Sequence, residues 1–170
     1  MIESSQLLGT WVSAQPEETH NADGSTMFFK REFTFTDGNN WSLKFAGFGD
    51  PAQTFSLFSG YVEGTYEIGQ PSATVEGANE ADFHFSKKLF TADYEAILGY
   101  FNSATDGQWV AGVERDVTES GCPFLPSVAV APTEYDLLKL DGENLYMGAR
   151  TSDLSQARAP QLTEFALVRK

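Results

Sequence analysis

Between Met27 and Phe35 one set of alternate positions is almost wholly apolar. Met27, Phe29, Arg31, Phe33 and Phe35 alternate with Phe28, Lys30, Glu32 and Thr34. A period of two gives a strand with one buried face and is incompatible with a helix. Asp37-Gly38-Asn39-Asn40 has turn chemistry, and Trp41, Leu43 and Phe45 then alternate with Ser42, Lys44 and Ala46. The two runs predict an antiparallel hairpin. After a break at Gly47 to Pro51, Phe55 to Ile68 reads as a long strand, bent or bulged near Gly60 and Gly64. Ala73 to Lys87 reads as another, with Val75, Ala81, Phe83 and Phe85 on one face and Glu76, Glu80, Asp82 and His84 on the other.

One segment changes period. Tyr94, Ile97, Leu98 and Phe101 fall at i, i+3, i+4 and i+7, which predicts a helix over residues 92–103. Thr91 is its expected N-cap, and Asp93 suits the first turn. Alternation resumes at Trp109, Ala111, Val113 and Val117, and a proline-containing loop covers 119–132. Tyr135–Leu140 and Leu145–Ala149 flank the turn Asp141-Gly142-Glu143-Asn144, and Thr163–Arg169 forms a last strand. Eight or nine strands and one helix in a single domain over residues 1–170 predict an all-β, antiparallel up-and-down barrel. Closing the sheet removes its edges. Alternation alone does not separate such a barrel from a sandwich.

A net charge of −13 argues against nucleic acid and anionic membrane surfaces as partners, because both repel it. No apolar run is long enough for a membrane-spanning helix. The single cysteine, Cys122, and the absence of a basic-then-apolar leader point to the cytoplasm. A mature exported chain is the alternative.

Gly9-Thr10-Trp11 resembles the G-x-W signature of the calycin group, which includes lipocalins and fatty-acid-binding proteins. In that group an Arg of the last strand packs across the Trp at the closed end of the barrel, a role that falls here to Arg169. A longer set of residues resembles the adenomatosis polyposis coli down-regulated domain family. It comprises Gly9-Thr10-Trp11-Val12-Ser13, Arg31, Phe33, Phe35, Trp41 and Gly49-Asp50-Pro51. It continues with Trp109-Val110-Ala111-Gly112-Val113, Asp116-Val117-Thr118, Gly121-Cys122, Thr133-Glu134-Tyr135 and Ser152-Asp153. The resemblance implies a lipocalin-like barrel with an apolar interior that binds a lipid or acyl group. The family's animal member is a membrane-anchored, two-domain inhibitor of Wnt signalling with several cysteines. Here Ala14 and Ala52 stand near positions where that domain carries cysteines. The Wnt role is therefore not carried over.

Arg31 shares its face with Met27, Phe29, Phe33 and Phe35. A guanidinium among aromatics must be paired or wet. Two readings follow: Arg31 anchors the carboxylate of an apolar ligand, or it pairs with an internal Asp or Glu or stacks on Trp11 or Trp41. The expected ligand-lining set is Arg31, Phe29, Phe33, Phe35, Trp41, Leu43, Phe45, Phe83 and Trp109, with Trp11 and Arg169 closing the barrel. Glu80, Asp82 and His84 share a face at metal-ligand spacing but read more simply as a solvated outer face, so no metal or cofactor is expected. His20 reads as an exposed loop residue. No nucleophile elbow, phosphate loop or triad order is present, so no catalytic residue is assigned. The helix either docks on the barrel wall or forms a lid over its mouth. The function expected is binding of a hydrophobic small molecule, a fatty acid or acyl group, in the barrel interior. The alternatives are a protein-interaction module working through an exposed aromatic surface and an enzyme acting on a bound lipid.

Overall fold

The computed structural model describes residues 1–170 and contains ten strands and two helices. In chain order these are α1 (Ser4–Leu7), β1 (Gly9–Ser13), β2 (Glu17–His20), β3 (Thr26–Thr36), β4 (Asn40–Phe48), β5 (Ser56–Pro71) and β6 (Asn79–Ala92). There follow α2 (Glu95–Ala104), β7 (Arg115–Asp116), β8 (Thr133–Asp141), β9 (Asn144–Met147) and β10 (Leu167–Arg169). All neighbouring strands are antiparallel. The ring β1-β3-β4-β5-β6-β8-β9-β10 returns to β1, so eight strands close an up-and-down barrel. β2 and β7 are additions alongside β3 and β6. The predicted barrel is the observed one, with two extra strands and a short first helix. No helix is long and apolar enough to cross a membrane.

The β3–β4 and β8–β9 hairpins lie where the sequence puts them, because alternation and turn chemistry agree there. Other boundaries move. β6 starts at Asn79 and runs on to Ala92, so Thr91 pairs with Ser59 inside the sheet and does not cap α2. The N-cap is Tyr94, and its side chain makes no capping bond. The strand stays intact because Phe90 and Ala92 are fully buried on its inner face. Between Trp109 and Val117 only Arg115–Asp116 is strand. The last strand shrinks to Leu167–Arg169, and His20 sits in β2.

Two strands change partner partway along. β3 pairs with β1 through Glu32–Phe35 but with β2 through Thr26–Phe29. β6 pairs with β8 through Asn79–His84 but with β7 at Leu89 and Phe90. The barrel thus has a closed half, hydrogen-bonded all the way round, and an open half. In the open half β2, β3, β4, β5, β6 and β7 form a cup, and residues 117–132 run along the free edge of β6.

The core divides the same way. Ile2, Leu7, Trp11, Phe33, Phe35, Trp41, Leu43, Val62, Tyr66, Ala81, Phe83, Leu138, Leu145, Met147 and Leu167 pack together in the closed half. Phe58, Phe90, Ala92, Phe101, Trp109 and Val117 form the second cluster in the cup, with α2 seated on it through Ile97, Leu98 and Phe101. Where the sequence predicts a bend in β5, the register against β6 shifts at Glu63/Gly64, and the extra residue, Ser86, lies in β6. A side chain at Gly64 would begin 1.7 Å from the His84 carbonyl oxygen, so only glycine fits.

Candidate functional site

The closed end is sealed by four contacts. Arg169 lies 4.2 Å above the Trp11 ring, and its guanidinium donates to the carbonyls of Leu8 and Gln6, both at 2.7 Å. Trp11 Nε1 donates to the Leu7 carbonyl. Gly9, at φ +113°, lets β1 start directly beneath Arg169, whose Nη1 would lie 3.1 Å from any Cβ there. Above this seal, Phe33 and Phe35 stack at 6.1 Å, and Phe83 meets Trp41 edge-on at 4.9 Å. Trp41 Nε1 donates to the carbonyls of Thr65 and His84. Five expected lining residues, Phe33, Phe35, Trp41, Leu43 and Phe83, therefore fill this half by packing on one another. The Tyr66 hydroxyl is buried here without a hydrogen-bond partner.

Arg31 takes the paired reading. Its Nε donates to Glu17 Oε2 at 2.8 Å and Oε1 at 2.9 Å, and both side chains are largely buried. Arg31 stands where β3 changes partner from β2 to β1. Its own backbone N–H, left without a strand partner, donates to Ser13 Oγ at 2.8 Å. Ser13 Oγ in turn donates to Glu17 Oε2. The guanidinium thus joins β2 to the barrel, the internally paired alternative of the two readings. Glu80 and Asp82 face Arg158, and His84 Nδ1 lies 2.9 Å from Thr133 Oγ1. These three side chains form an outer polar face, and no group of three or more His, Cys, Asp or Glu is arranged to hold a metal ion.

The remaining lining candidates meet at the cup. Phe29 contacts Phe58 edge-on at 5.8 Å, and Phe45 bridges the two cores. Trp109 reaches the cup from the segment after α2, positioned by reciprocal bonds with Asn102. Its N–H donates to Asn102 Oδ1, and Asn102 Nδ2 donates to its carbonyl. Arg115 stacks 4.6 Å over the Trp109 ring and forks onto Asp106, whose carboxyl it holds down at a pKa of about 2.

Two residues that the sequence did not single out complete this end. Phe124 sits on a tight turn in which the Cys122 and Leu125 backbones bond each other. Its ring lies 5.0 Å from Phe101, 5.5 Å from Phe58 and 6.1 Å from Phe90, yet it is 47% exposed. Lys88 is 1% exposed and faces Val62 across the sheet, on the barrel's inner side. Its ammonium donates to the carbonyls of Pro126 (2.7 Å) and Ala131 (3.1 Å) and lies 4.3 Å over the Phe85 ring. Burial pushes its pKa below the usual lysine value. The rim beyond Phe124 carries the exposed apolar side chains Phe55, Tyr94, Tyr100, Val110 and Val113. By contrast, the outer cleft of about 440 Å³ beside β4, β5 and β6 is lined largely by polar groups, among them Thr34, Ser42, Glu63 and His84.

An eight-stranded antiparallel barrel, sealed at one end by Trp11 and Arg169 and aromatic at the other, defines the class of protein. The particular family follows from a match to the family model "Adenomatosis polyposis coli down-regulated 1" over residues 1–102. The chain belongs to this family. The matched stretch runs from α1 into α2, so it spans Gly9-Thr10-Trp11 and the β3–β4 hairpin. The block from Trp109 to Tyr135 lies beyond it.

Proposed function

We propose that this protein is a binding protein that takes an apolar group, a fatty acid or other acyl chain, into the aromatic cup at the open end of the barrel. The observation that carries this reading is Phe124. Half of its ring is in water and half is wedged between Phe58, Phe90 and Phe101, so it occupies the cup as a ligand would. Apart from the Pro126 carbonyl held by Lys88, the segment 120–126 hydrogen-bonds only within residues 117–126. The turn can therefore move without breaking a strand ladder, and doing so uncovers Phe58, Phe90 and Phe101. Such a set suits a chain of methylenes, each worth about 0.8 kcal/mol on burial. The lipid or acyl ligand implied by the family resemblance supports the same reading.

The test is extraction of the purified protein with organic solvent and mass spectrometry of the extract, followed by thermal melts with a fatty-acid panel. The expected result is a stoichiometric lipid, or a Tm that rises with acid concentration, since a ligand that binds the native state stabilises it. A clean extract and flat Tm values across the panel overturn the reading. A second reading rests on the exposed rim of Phe55, Tyr94, Tyr100, Val110 and Val113, which suits contact with a protein partner. On that reading the Phe124→Ala variant gains no affinity for any acid of the panel.

A further inference from the structure

Lys88 is the one cation that the barrel holds inside without an acidic partner. Arg31 has Glu17, Arg158 has Asp82, and Arg115 has Asp106. No carboxylate lies within salt-bridge distance of Lys88. Glu134, which bears on it electrostatically, is paired with Arg150. A buried ammonium must be hydrogen-bonded on every side or it costs several kcal/mol. Here two main-chain carbonyls and the face of Phe85 meet that need, and both carbonyls belong to the loop that carries Phe124. The same displacement that empties the cup draws the Pro126 acceptor away from Lys88, while Ala131, next to the Pro132 carbonyl that accepts from the Phe85 N–H, stays in place. A ligand that enters as Phe124 leaves must supply a replacement acceptor, and for an ammonium the best replacement is an anion.

The placement along β6 fits such a ligand. Lys88 and Phe90 both point inward, two residues apart, with Lys88 on the side of the closed core and Phe90 at the cup. Two strand residues span about 6.6 Å, roughly five methylenes of an extended chain. A head group at Lys88 therefore leaves the tail among Phe90, Phe58 and Phe101. Building on the proposed cup site, we infer that its ligands are apolar carboxylates bound head-inward, with the carboxylate taking the place of the Pro126 carbonyl on Lys88. Neutral acyl compounds of the same length bind the aromatic part only.

The experiment compares dodecanoate with dodecanol, both below micellar concentration, by titration calorimetry on the full chain. The wild type is expected to bind the acid about ten-fold or more tightly than the alcohol, the range of one charge-assisted hydrogen bond. Lys88→Met is expected to lose that preference while holding dodecanol as before, and Lys88→Arg to keep much of it. Equal affinities for acid and alcohol in the wild type, or an undiminished preference in Lys88→Met, overturn the carboxylate assignment and leave the cup site standing. If neither compound binds, the cup site itself falls, and the assignment with it. The wild-type comparison decides the matter even if Lys88→Met does not fold.

Discussion

The two ends of this barrel are built from the same kinds of side chain and differ in what surrounds them. At the closed end, Trp11, Phe33, Phe35 and Phe83 sit inside a ring of eight hydrogen-bonded strands, each side chain 1–3% exposed. At the open end, Phe58, Phe90 and Phe101 are equally buried, but part of their cover is Phe124 on an irregular loop. Phenylalanine by itself does not distinguish a core from a binding site. The difference lies in whether the covering group is a strand or a loop, since only the loop can leave without breaking the ladder.

The largest effect expected from breaking this comparison comes from truncating one aromatic at each end. Trp11→Ala is expected to lower the urea-unfolding free energy by about 3–5 kcal/mol, as large core truncations do. Phe124→Ala is expected to cost about 1 kcal/mol, because half of its ring is already solvated. The same variant is expected to bind fatty acids more tightly, because its cup is vacant. Equal stability losses would mean that Phe124 is core and not a cover.

The clamp between the halves gives a smaller, sharper effect. Arg31→Met leaves Glu17 buried without its cation and is expected to cost about 3 kcal/mol. Adding Glu17→Leu is expected to restore most of that loss, a coupling that a double-mutant cycle in urea measures directly. The least effect comes from acid. Asp106 titrates at about 2 because Arg115 and the Gln108 N–H hold its charge. Its folded pKa lies below the ordinary 3.8, so its contribution is present above about pH 4 and is lost as pH falls through about 2. An NMR titration of its carboxyl carbon reads the midpoint, which Arg115→Gln is expected to move back toward the ordinary value.

Alternation made β3, β4 and the β8–β9 hairpin legible, because both periodicity and turn chemistry are local. The inward placement of Arg31 was legible too, but its partner was not. Glu17 lies in a short polar run that reads as loop and becomes strand only by pairing with Phe29. Lys88 was hidden by arithmetic. Along β6 the inward residues are Ala81, Phe83 and Phe85, and strict alternation would continue them to Lys87 and Leu89. The bulge opposite Glu63 and Gly64 uses up one extra residue and exchanges the parity, so Lys88, Phe90 and Ala92 face in. The alternation around Trp109 predicts a strand, whereas Trp109 reaches the cup from a loop fixed by Asn102. Phe124 gave no periodic signal, since a side chain on an irregular turn has none.

The hold of Lys88 on the loop has a consequence for how this end can vary between relatives. Its two acceptors are peptide carbonyls, which every residue type possesses. The fastening is therefore indifferent to the letters at the tip of the turn. Phe124, the half-exposed side chain of that tip, can be exchanged for others while Lys88 in the unliganded protein keeps its bonds to Pro126 and Ala131. One barrel can in this way be fitted to differently shaped ligands through changes at its tip, with the strands, their register and the fastening lysine left untouched.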